Sequence, residues 1–180
     1  PVLDPEAEGR ARRLLARASA GRGDRGAALE VLRRDDAEDA RLEAQLLEEM
    51  GAPPELQSEA LERCFEHDRD PQWWVRAATL GVRLEVIDAR ADATGTRTPQ
   101  LDELLLRAWA DRRDGPRLLA WALRAGLSEV RQLADPEARG ALARAALAAK
   151  EDAVLAAVLD DEAEVRAWLG EAPVAGLASR

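Results

Sequence analysis

The chain has 180 residues, a formal net charge of −9 and a pI near 4.8, and 47% of it is apolar. That length suffices for one domain with a sizeable core, while the acidic balance counts against non-specific nucleic-acid binding, which draws most of its affinity from phosphate neutralisation. The apolar share is mostly Ala and Leu, with one Phe, one Ile and neither Tyr nor Asn. Ala, Leu, Arg and Glu all favour helix over strand.

Helix punctuation is clear along most of the chain. Asp4-Pro5-Glu6 starts a first helix toward Ala20, broken by Gly21, Gly23 and Gly26. A short second helix turns Leu29 and Leu32 inward. Asp36 caps a third, in which Leu42, Leu46, Leu47 and Met50 trace a helical stripe that Gly51 ends. Pro53-Pro54-Glu55 opens a fourth with Leu56, Ala60, Leu61, Cys64 and Phe65 on its apolar side. Asp70-Pro71 opens a fifth, where Val75, Ala78, Thr79, Val82 and Val86 share a face. A loop insertion follows over 91–98, centred on Asp92 to Thr98. Thr98-Pro99-Gln100 caps a helix bearing Leu101, Leu104, Leu105 and Trp109, and Gly115-Pro116 starts another with Leu118, Leu119 and Trp121. Further helices are expected around 127–134, 136–149, 151–159 and 162–169. No stretch alternates with period two.

One short pattern recurs. Asp70-Pro71-Gln72-Trp73-Trp74-Val75-Arg76 returns as Asp160-Asp161-Glu162-Ala163-Glu164-Val165-Arg166, and more weakly as Asp35 to Arg41. Arg41 to Arg76 and Arg131 to Arg166 are both 35 residues. A fixed period of this size marks stacked helical repeats. Asp70 to Ala78 resembles the second helix of a HEAT-like repeat of the armadillo-type superfamily, and the turn Gly51-Ala52-Pro53-Pro54-Glu55-Leu56 is similar to that of leucine-rich variant repeats. The resemblance is good over 36–90 and 136–170 and thin elsewhere. It implies an all-α, right-handed α-solenoid of four to five antiparallel helix pairs, with residues 1–180 forming one domain. It also implies structural ladder roles for Asp70, Arg76, Asp160 and Arg166: the aspartate caps its helix and the arginine pairs with acids of the adjacent repeat. Asp35/Arg41 fits less well, with Glu43 where a small residue is expected, and Arg131 has Ala125 in place of the acid.

Residues with chemical potential are few. Cys64 and His67 lie one helical turn apart, but zinc needs two further ligands and the chain has no other Cys or His. Cys64 also falls on an apolar stripe, where a buried inert thiol is the common state. Arg22-Gly23-Asp24 matches an adhesion tripeptide by letters alone. No Gly-rich phosphate loop joins a strand to a helix, and no carboxylates pair into an acid–base site. The expectation is therefore a protein that is not an enzyme, with no cofactor and no metal. The lone Cys, an N-terminus without a basic start and apolar run, and the lack of any uncharged apolar stretch near ~20 residues lead to the expectation of a soluble, cytoplasmic protein. Of the 26 basic residues 25 are Arg, a skew associated with GC-rich bacterial genomes.

Charge and tryptophan point to binding. Residues 36–70 hold twelve acids and three arginines, with Glu55, Glu59, Glu62 and Glu66 at helical spacing. Residues 101–150 carry +2 instead, with Arg107, Arg112, Arg113, Arg117 and Arg124 close together. Trp109, Trp121 and Trp168 lie near leucine stripes and read as core. Trp73 and Trp74 are adjacent, so their rings point about 100° apart and both cannot be wholly buried if Val75 and Ala78 face inward. Arg69, Arg76, Arg83 and Arg90 recur every seven residues and fall near one line of the fifth helix. In the family resembled, that helix lines a concave face, which would place Arg83 and Arg90 beside the tryptophans; alternatively they balance acids on neighbouring helices. The leading functional reading is a non-enzymatic protein–protein interaction module, a scaffold, adaptor or immunity-type binder. Its acidic helical face and adjoining Trp edge would meet a partner with a basic surface. The alternatives are nucleic-acid binding, as in the similar HEAT-like alkylpurine DNA glycosylases, and a phycobilin-lyase-type factor on fold analogy alone.

Overall fold

The computed structural model describes residues 4–33 and 35–159. Helix accounts for 77% of them, and no strand occurs among them, against about a third helix in an average globular protein. The chain divides into two compact units, Pro1–Asp102 and Glu103–Arg180. The first holds α1 (Pro5–Gly21), α2 (Arg25–Glu30), α3 (Ala37–Glu49), α4 (Pro54–Asp68), α5 (Gln72–Thr79) and α6 (Leu84–Thr94). The boundary falls within α7 (Pro99–Asp111). The second unit continues with α8 (Gly115–Ala125), α9 (Leu127–Arg131), α10 (Pro136–Ala149) and α11 (Asp152–Val158).

Six of the described helices begin where a short polar side chain satisfies first-turn N–H groups that have no partner within the helix. The Asp36 carboxylate accepts from the N–H groups of Glu38 (2.9 Å) and Asp39 (3.0 Å). Asp24, Asp114 and Asp135 do the same for α2, α8 and α10, and the Thr98 hydroxyl accepts from the Leu101 N–H at 3.2 Å. Proline stands in the first turn of α1, α4, α8 and α10, where its missing N–H costs nothing.

In the first unit α1 packs on α2 and α3, α3 on α4, α4 on α5, and α5 on α6. In the second, α8 packs on α9 and α10, and α11 meets α8, α9 and α10. The expected core is largely in place. Leu42, Leu46, Leu47, Ala60, Leu61, Cys64 and Phe65 are buried in the first unit, and Trp109, Leu118 and Trp121 in the second.

The expected fifth helix is two. It ends at Thr79, and the chain turns through Leu80–Arg83 with positive φ at Gly81 (70°) and Arg83 (53°) before α6 starts. The buried stripe of α6 is Leu84, Ile87 and Ala91, while Val86 is on the exposed side. The line of four arginines therefore does not exist: Arg69 caps α4, Arg76 lies on α5, and Arg83 and Arg90 belong to α6. The insertion expected over 91–98 shrinks to Gly95–Thr98, because α6 runs to Thr94. Arg97 ties it down through Asp88, Asp92 (3.1 Å) and Asp102 (2.5 Å).

Ion pairs link different helices, some consecutive and some not. The Asp39 carboxylate is fully buried and accepts from Arg12 and Arg13 of α1, both at 3.1 Å, and from the Arg33 N–H at 2.9 Å. Arg41 reaches Asp68 at 2.9 Å. Arg76 reaches Glu48 on α3 at 2.9 Å, and the Asp70 carboxylate accepts from the Gln72 N–H at the start of α5. Asp160, Arg166 and Trp168 lie outside the described residues. Arg76 and Glu48 are both largely exposed, at 46% and 63%, so the pair contributes little, whereas Asp39 is enclosed.

The ranking has a measurable consequence. Asp39→Ala removes the enclosed acceptor of two guanidinium groups and a backbone N–H, leaving Arg12 and Arg13 to the more exposed Glu8, Asp36 and Glu38, and should cost about 1–3 kcal/mol; Arg76→Ala should cost under about 1 kcal/mol. Chemical denaturation of the two variants checks this, and equal losses would refute it. Backbone N–H groups of Asp39 and Glu38, with Arg13 and Arg12, hold the Asp36 carboxyl below its ordinary range. At Asp135 the Ala138 N–H and Arg107 do likewise. A carboxylate with a depressed folded pKa contributes stability above its unfolded value and loses it as pH falls through the folded one. Asp36→Asn keeps the capping oxygen but not the charge. Its melting temperature should sit below the parent's at pH 7 and converge with it toward pH 3; a constant offset would show the charge to be idle.

Candidate functional site

The glutamates expected to form an open acidic face lie on α4, but α6 answers them. Arg83 approaches Glu59 at 3.1 Å and Glu62 at 3.0 Å. Arg90 approaches Glu66 at 3.1 Å and Glu62 at 3.6 Å. Glu62 is only 5% exposed. Burial pushes its carboxyl above the usual range, against the pull of Arg83 and Arg90. Glu62 is thus an internal tie between α4 and α6, which corrects its expected place on a partner-facing surface. Glu55, Glu59 and Glu66 remain exposed, with Glu59 and Glu66 already sharing arginines. Arg83 and Arg90 are spent on this lattice, so the reading in which arginines balance acids of a neighbouring helix describes their surroundings.

The tryptophan pair separates. Trp74 is fully buried, its ring centroid 4.5 Å from that of Phe65. Such a ring is a core anchor, and its expected role at a partner-binding edge is corrected accordingly. Trp73 is half-buried. Its indole N–H donates to Asp68 at 2.8 Å, and the Arg76 guanidinium stands 5.2 Å from the ring centre. Burial works against the Asp68 carboxylate, but the Asp70 N–H, the Trp73 indole and Arg41 outweigh it and hold its pKa below the ordinary value. The Trp73 ring is therefore held in one orientation.

A feature that periodicity alone did not indicate lies across α2, α3 and α4. A groove of about 340 Å³ is lined by Leu29 and Leu32 at the end of α2, Leu47 of α3 and Leu56 of α4. Its charged lining is Glu30, Glu43, Glu59 and Arg63, and Arg63 is held by Glu43 at 2.7 and 3.2 Å. Its walls come from three segments of the chain: the end of α2 with the turn after it, α3, and the N-terminal half of α4. Leu56, expected in the core, is 47% exposed at this groove. One sign of this was legible: Leu56 precedes Ala60 by one turn but sits beside Glu55 and Glu59, on the margin of the apolar stripe.

Cys64 is 1% exposed, and burial pushes its thiol up to about 11, so it is neither a thiolate nor accessible to a substrate. Among the described residues no cluster of three or more His, Cys, Asp or Glu could hold a metal ion, and no helix is long and apolar enough to cross a membrane. The arginines near the start of α8 include Arg117, paired with Asp114 at 3.1 Å, and Arg107 of α7 pairs with Asp135 at 3.1 Å. No family model matches the chain, and comparisons with the curated proteins and with the solved structures find no match either.

Proposed function

We propose that the chain is a binding module built as an α-solenoid of stacked helix pairs, and that the α2–α4 region holds another protein, with the Trp73 edge at the other end of α4 as a second contact. Three features support the stacked arrangement. Consecutive helices pack in both units, next-but-one helices also meet (α1 with α3, α8 with α10, α9 with α11), and ion pairs tie residues 24 to 28 positions apart, as in Arg83–Glu59 and Arg76–Glu48. The 35-residue spacing of the Asp…Val-Arg pattern points the same way.

The observation that carries the functional reading is the groove, where leucines stand open between carboxylates on a rigid helical support. Apolar surface rimmed by charge is the usual mark of a protein-docking site. Glu55 and Glu59 add a negative field near it, which would favour encounter with a basic partner, and Trp73 offers a pre-oriented aromatic contact. Catalysis has no comparable support: the one thiol is buried and protonated, and the buried carboxylates Asp39 and Glu62 are bound by arginines.

A photo-crosslinking residue placed at position 56, in cells or lysate, should capture a discrete protein. The same residue at position 148, exposed on α10, should not. Equal capture at both positions, or none at 56, would overturn the reading.

A further inference from the structure

The groove at Leu56 has a shape and a charge, and together they select an occupant. We infer that it takes one amphipathic α-helix of a partner, presenting leucine-sized side chains at i, i+3 or i+4, and i+7, with lysine or arginine on its flanks. The inference rests on the binding-module reading and specifies what that module holds.

The apolar lining supplies the first half of the argument. Leu47 forms a buried base, Leu29 and Leu32 are half-buried, and Leu56 is the most open. The groove runs between the end of α2 and the N-terminal half of α4, over Leu47 of α3. A helix laid into it would cover Leu56 and the half-buried Leu29 and Leu32. Helix-in-groove recognition uses this arrangement, with apolar anchors one turn apart. An extended strand has no free sheet edge to join here, because every lining residue but Leu32, which sits in the turn after α2, lies in a helix.

Charge supplies the second half. Of the four charged groups lining the groove, Glu43 and Arg63 are bound to each other, which leaves the carboxylates of Glu30 and Glu59 as the charge it presents. Glu30 is exposed on the α2 side and Glu59, 49% exposed, on the α4 side. A helix lying between them passes carboxylates on both flanks. An acidic or phosphorylated segment would meet repulsion there, whereas lysine or arginine would pair with Glu30 and share Glu59 with Arg83.

The test uses the whole chain and synthetic peptides. The probe is a 14-residue helical peptide with leucine on one face and lysine on the other. Its controls are the same composition scrambled to destroy the leucine face, and a version with every lysine replaced by glutamate. The lysine peptide should bind, weaken as salt is raised, and exceed both controls by at least tenfold in Kd. Leu56→Glu should reduce that binding at least tenfold, and Glu30→Lys should reduce it and flatten its salt dependence. Both positions are solvent-facing, so a melting temperature near the parent's shows that the fold is intact. Equal binding of the scrambled peptide, preference for the glutamate peptide, or indifference to both substitutions would overturn the assignment. A partner crosslinked at position 56 through an acidic or non-helical segment would overturn it too while leaving the binding-module reading intact. Failure to capture any partner there would remove both.

Discussion

Alanine is the commonest residue in the buried contacts of this protein, and that constraint shapes much else. Fourteen of the 34 buried apolar residues described are alanines, among them Ala16, Ala28, Ala40, Ala60, Ala77 and Ala91 in the first unit. A methyl group lets two helix backbones come close, but it interlocks poorly and leaves them free to slide. Large side chains that would set a unique register are few and spaced out: Phe65 and Trp74 where α4 meets α5, Trp109 on α7, and Trp121 on α8. Carboxylate–guanidinium pairs supply the missing positional information. They add little net energy where exposed, yet each enclosed one penalises every register that would leave it unpaired.

Asp39 and Glu62 illustrate the two ways a carboxylate can be enclosed. Asp39 gains two arginines and a backbone N–H, all at hydrogen-bond distance. Glu62 has ion-pair contacts to Arg83 and Arg90, while its Oε1 lacks an aligned donor. The first is a fully satisfied junction of α1 with α3. The second is a partial one that holds α6 on α4 through Arg83 and Arg90. Both pairs remove charge from the surface, so the field presented outward by residues 36–70 is weaker than a count of their acids implies.

How much could be read in advance differs by kind of information. Helix starts were legible because their signals are local: Asp36, Asp135, Thr98 and the prolines act within three residues of where they stand. The break between α5 and α6 was not, because Val75, Ala78, Val82 and Val86 keep a helical period across Gly81 and conceal the turn. The tryptophan pair was half legible, since geometry required one ring to be less buried but could not say which. The neutralisation of Glu59, Glu62 and Glu66 depends on contacts more than twenty residues away, and the groove is assembled from three separate segments, 29–32, 43–47 and 56–63. Neither is encoded in any single window. Asp160, Arg166 and Trp168 fall outside the described residues, so the second copy of the repeated pattern stays an expectation from spacing.

Four basic residues, Arg69, Arg83, Arg113 and Lys150, adopt left-handed backbone angles with φ between 53° and 60°. A side chain there carries a steric cost of about 1–2 kcal/mol that glycine avoids. At Arg69, Arg113 and Lys150 the cost closes a helix or turn, and glycine would serve those positions with less strain. Arg83 is different, because its guanidinium clamps two glutamates of α4 while its backbone launches α6. The chain therefore holds an untapped reserve of thermal robustness at three helix ends. At the fourth, easing the backbone would forfeit the latch that keeps two helices together.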